Sequence, residues 1–86
     1  METKESNRLA QLYANSHAMD VVSFVGTERD YNIYYLFKDS LIGKKAGMPR
    51  FIRIYSHGRI EPVIEPDDVY RYLSIYTKEL KRSRNL

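Results

Sequence analysis

The sequence predicts a single α+β domain over residues 1–86: a four-stranded antiparallel meander sheet, built as two hairpins, with an N-terminal and a C-terminal helix. The predicted order is α-β-β-β-β-α. Three observations carry it. Apolar residues recur at helical spacing over 5–18. Runs rich in β-branched and aromatic residues fill 21–37 and 49–65, each interrupted by a glycine-bearing turn signal. A helix signature then opens at Pro66.

In the first helix Leu9, Leu12, Tyr13 and Ser16 share one face, with Ala10 and Ala14 beside it. Thr3 and Ser6 are both candidate N-caps, because either hydroxyl can accept an orphan backbone N–H. His17, at the far end, is placed to meet the last carbonyls. Residues 21–25 and 31–37 read as two strands, and the stretch GTERD at 26–30 reads as the hairpin loop between them. In the second hairpin the turn is SHGR at 56–59, with His57 and Gly58 central. That turn sets Tyr55 opposite Ile60, Arg53 opposite Pro62 and Phe51 opposite Ile64. Pro62 has no N–H to donate, so the last strand is an edge or ends there.

The last helix opens with Pro66, Asp67 and Asp68, which suit the positive end of the dipole. Val69, Leu73, Tyr76 and Leu80 form one stripe. Lys78, Lys81, Arg82 and Arg84 gather where the dipole turns negative. A helix followed by DVVSFVGTERDYNIYYLF and FIRIYSHGRIEPV resembles the helix-plus-meander of PepSY-type domains, which are small regulatory or inhibitory modules. The resemblance rests on element order and the Gly58 turn. It carries no site residue over.

Composition narrows the functional classes. Hydrophobic residues are 43% and charged residues 29% of the chain, the balance of a folded domain rather than a disordered one. There is no cysteine, which excludes disulfides and thiolate metal sites. No apolar run approaches the roughly 20 residues of a membrane helix. The opening METKESNRLA lacks the apolar core of a secretory signal, so a soluble, cytoplasmic protein is the expectation. The net charge of +3 is unevenly placed: 44–60 carries five cations and no acid, and 61–70 carries four acids and no cation.

The basic stretch GKKAGMPRFIR at 43–53 invites a phosphate-loop reading, which its spacing rejects. A Walker A loop needs a glycine where Lys38 stands and a hydroxyl residue where Lys45 stands. It also needs a following helix, and a strand follows instead. Gly43 and Gly47 are then turn residues, and residues 39–49 are expected to be the most mobile internal segment. Lys44, Lys45, Arg50, Arg53 and Arg59 remain candidate contacts for nucleic acid or another polyanion. Phe51 and Tyr55 alternate with Arg53 and are able to stack bases.

No catalytic site, metal or cofactor is expected. His17 and His57 lie 40 positions apart with no second ligand at metal spacing. Ser56 and His57 are neighbours in a tight turn, a poor setting for a nucleophile–base bond.

The aromatic excess is the strongest functional signal. Eight tyrosines and three phenylalanines fall largely on strands that are apolar on both faces, where a half-wet sheet alternates. One helix on each face gives a closed monomer. Both helices on one face leave an aromatic surface for a second copy or another protein. Tyrosine is enriched at interface centres, which favours the second arrangement. Tyr34, Phe51, Tyr55, Tyr70 and Tyr72 are then the candidate protein interface. The sequence thus points to a non-catalytic binding or regulatory module working by protein contact, with itself or another protein. Nucleic-acid binding is the alternative, and no membrane partner is expected.

Overall fold

The computed structural model describes residues 3–37 and 50–84, residues 79–84 by backbone alone. Its elements are α1 (Lys4–Ser16), β1 (Val21–Glu28), β2 (Tyr31–Phe37), β3 (Arg50–Tyr55), β4 (Ile60–Pro62) and α2 (Pro66–Arg84). The strands form one open antiparallel sheet in the order β1-β2-β3-β4, so the α+β meander is as predicted. The expectation that residues 39–49 are mobile lies outside the described residues.

Thr3 is the cap of α1. Its backbone is extended, and its hydroxyl accepts the Ser6 N–H at 3.0 Å. Ser6, the other candidate, sits buried in the first turn instead. At the far end the Met19 N–H reaches back to the Ala14 carbonyl at 2.8 Å. Ala18 takes the left-handed conformation (φ 61°) that this closure usually gives to glycine.

The first hairpin differs from the predicted strand bounds and the second from the predicted register. β1 runs on through Gly26, Thr27 and Glu28, leaving Arg29 and Asp30 as the turn, with Arg29 left-handed at φ 50°. The pairing slips between Phe24 and Gly26, so Val25 is the extra residue of a bulge. A glycine that read as turn chemistry marks a bulge in a longer strand. In the second hairpin Ile54 pairs Ile60, Arg53 pairs Glu61 and Ile52 pairs Pro62, one residue away from the predicted register. The cause is the turn. The Gly58 N–H bonds the Tyr55 carbonyl and the Tyr55 N–H bonds the Arg59 carbonyl, each at 2.9 Å. With Gly58 left-handed at φ 94°, this is a three-residue loop, not a two-residue one. The slip brings Glu61 to the face of Arg53.

The helices lie on opposite faces. Ala10 and Ala14 of α1 pack on Tyr34, Leu36, Ile52 and Ile54. Val69 and Tyr72 of α2 pack on Val25, Ile33 and Phe51, with Val63 beside them. The closed arrangement therefore replaces the open aromatic face expected from composition. Tyr34, Phe51 and Tyr72 are core residues, 1%, 2% and 0% exposed. Each buried aromatic of this kind contributes on the order of 1.5–3 kcal/mol relative to exposure.

Candidate functional site

Three places hold the chemistry of the described residues: a charged cluster under α2, a cleft at the hairpin tips, and the outer edge of β1.

The cluster is centred on Arg53. Its Nη1 bonds Glu61 at 2.8 Å, its Nη2 bonds Asp68 at 2.9 Å, and its Nε donates to the Tyr72 hydroxyl at 2.8 Å. The guanidinium lies 5.4 Å from the ring centres of both Tyr31 and Tyr72. Burial works against its charge, but the bonds to Tyr72, Glu61 and Asp68 outweigh it, so Arg53 is held ionised. Arg71 bridges Glu28 and Asp68 and lies over the Tyr72 ring at 4.6 Å. Arg59 reaches Glu61 at 3.4 Å. Three arginines thus face three carboxylates, and the cluster pins α2 to β3 and β4. The Tyr31 hydroxyl is pushed up to about 12, first by its bond with the Tyr72 hydroxyl, then by burial and by the Glu28 carboxylate.

The cleft, about 530 Å³, lies between the start of α1 and the two turns, among Glu5, Arg29, Asp30, Tyr55 and His57. The Ser56 N–H donates to the Asp30 carbonyl at 2.9 Å and ties the two turns together. Its floor at Thr27, Asn32 and Ser6 begins a directed chain of hydrogen bonds that runs on to Tyr34 and Asn7. Thr27 Oγ1 donates to Asn32 Oδ1 (2.7 Å), and Asn32 Nδ2 donates to Ser6 Oγ (3.0 Å). Ser6 Oγ meets the Tyr34 hydroxyl at 2.7 Å, which donates to Asn7 Oδ1 at 2.6 Å. Among the described residues no buried side-chain polar atom is left without a partner, so this floor presents no orphaned group to a ligand.

The Ser16–His17 contact, 3.0 Å, is a helix terminus and not a catalytic pair. His17 Nδ1 lies 2.9 Å from the Tyr13 carbonyl and must donate to it. The Ser16 hydroxyl donates to the same carbonyl at 2.9 Å. The imidazole nitrogen facing the serine is therefore a donor and has no lone pair to act as a base. No group of three metal-ligating side chains occurs among the described residues.

The edges of the sheet differ. β4 is three residues long and contains Pro62. β1 is eight residues long, VVSFVGTE, with no lysine, arginine or proline and no charge before Glu28. Among the described residues no strand pairs with its outer side. Val21, Val22, Ser23 and Phe24 are all half-buried.

The sequence-predicted residues scatter across these places. Of the aromatic set, Tyr34 lies under α1, Phe51 lies under α2 against Tyr72 of that helix, and Tyr55 is half-buried edge-on to Tyr31 at 5.3 Å. Tyr70 alone of the five is exposed, at 58%. Of the cations, Arg50 is exposed, Arg53 and Arg59 face carboxylates, and Lys44 and Lys45 lie outside the described residues. Sequence reasoning missed the β1 edge, for which the uncharged run 21–27 was the available signal. It missed the Arg53 cluster because that depends on the β4 register.

The chain matches no family model, no curated protein and no solved structure. No described helix is long and apolar enough to cross a membrane.

Proposed function

We propose that this protein is a small non-catalytic binding module that acts by protein contact, and that the contact is made through the outer edge of β1. One observation carries the reading. An eight-residue edge strand without lysine, arginine or proline is an open template for another strand. Proteins ordinarily blunt such edges with charge, proline, shortness or a bulge. β4 uses shortness and Pro62, whereas among the described residues β1 has only the bulge at Val25. Strand addition draws affinity from main-chain hydrogen bonds and specificity from alternate side chains. The nucleic-acid alternative has less support, because Arg53 and Arg59 already face Glu61 and Asp68.

The test is photo-cross-linking in cells from a probe at position 23, compared with a probe at exposed Ser74. A protein captured at 23 and not at 74, and lost when Val22 is replaced by lysine in a variant that still folds, is the expected result. Contacts that avoid β1, or none, overturn the reading.

A further inference from the structure

We infer that the occupant of the β1 edge is β1 of a second copy of this chain, paired antiparallel about a two-fold axis at Ser23; this rests on the edge reading above. The geometry narrows the choice of register. Residues directly opposite in an antiparallel ladder share a sheet face. A two-fold axis normal to the sheet must therefore pass through a residue, not between two. The bulge at Val25 breaks the ladder, so the usable arm is Val21 to Phe24.

That arm offers four centres, and an axis at Val21 carries the pairing off the strand onto Asp20 and Met19. An axis at Val22 sets Asp20 against the partner copy's phenyl ring at position 24. An axis at Phe24 carries the pairing into the bulge on both copies. An axis at Ser23 sets Val22 against the second Phe24 and Ser23 against its own copy, all within the unbulged arm. Val22 and Phe24 both pack at the margin of the α1-side core, so this register joins two such cores into one layer. Ser23, the smallest side chain of the arm, stands at the axis, where close approach is needed.

The absence of charge decides the kind of partner. A two-fold contact places each residue near its own copy, so a charge beside the axis meets its own sign. An uncharged, self-matching arm is what self-pairing requires. A foreign partner is ordinarily selected by complementary charge, and Val21 to Val25 presents none.

Light scattering of the purified chain over a wide concentration range tests the inference. The expected mass rises to twice 10.2 kDa. Ser23→Lys places two ammonium groups face to face and weakens dimerisation by about tenfold or more, with the circular dichroism spectrum unchanged. The chain has no cysteine, so Ser23→Cys gives a clean second readout. Mild oxidation links its two introduced thiols into a dimer far faster than it links those of Ser74→Cys. A wild type that is monomeric throughout, or a dimer indifferent to Ser23→Lys with no faster linkage at 23, overturns the inference. If cellular capture at position 23 then yields a different protein, self-pairing alone has failed. If that capture is also absent, the edge reading fails with it.

Discussion

The two faces of the sheet are held by different physics. Under α1 the helix approaches on two alanines, Ala10 and Ala14, and the hydrogen-bonded side chains that join its first turn to β2 are neutral: Ser6, Asn7, Asn32 and Tyr34. Under α2 the contact is aromatic, with Tyr72 and Tyr76 meeting Phe51 and Tyr35, and its margin is ionic through Arg53, Arg71, Glu61 and Asp68. Neutral hydrogen bonds are insensitive to salt and to pH near neutrality. Half-exposed ion pairs are screened by salt. A single small sheet thus carries one face set by close approach and one set by ring packing and charge.

The largest effect that breaks this symmetry is Tyr72→Ala. It empties a fully buried site and removes a partner of Arg53, and it is expected to cost about 3–5 kcal/mol in urea unfolding. A loss under about 1 kcal/mol means that α2 is not a structural cover. On the other face the matching experiment adds volume. Ala10→Leu forces α1 off the sheet and costs about 1–3 kcal/mol, whereas Leu12→Ala, at a half-exposed position, costs far less. Tyr34→Phe keeps the packing and interrupts the hydrogen-bond chain from Ser6 to Asn7, for about 1–2 kcal/mol. That loss is the same at low and high salt, while any loss from Arg53→Met shrinks as salt is added.

Alkaline pH sharpens the comparison further. Tyr31 and Tyr35, both packed on the α2 side, have hydroxyls held above the ordinary tyrosine value. Their folded forms stay protonated where the unfolded chain has begun to ionise. The contribution of Tyr31 is therefore fully present below about pH 10 and lost as pH rises through about 12, and that of Tyr35 falls in the same direction. Chemical denaturation along this range is expected to show a decline that Tyr31→Phe makes shallower. The smallest effect belongs to Tyr70→Ser, within about 0.5 kcal/mol, since that ring is mostly in solvent.

What the sequence revealed follows from which physics is local. Helical and strand periodicity is local, so the six elements and the facing of Ile33 against Tyr34, or Phe51 against Ile52, were legible. Turn geometry is less so. SHGR admits two loop lengths, and only the bonds at Tyr55 distinguish them. Glu61 and Arg53 become neighbours only in the longer loop, which kept the charged cluster out of reach. Gly26 was misread because glycine serves turns and bulges equally. The aromatic excess pointed outward in composition but inward in space. An apolar residue type does not say which helix will cover it.

The three-residue turn has a consequence for how the chain tolerates change. Because strand side chains alternate, losing one residue between Tyr55 and Arg59 inverts the phase of everything on β4. Glu61 would leave Arg53, and the neighbouring side chains would exchange water for core. Exposed Ser56 and His57 accept many identities but no change in number. At this corner the molecule is forgiving of spelling and strict about counting, so single-residue deletions there should be far more damaging than any substitution.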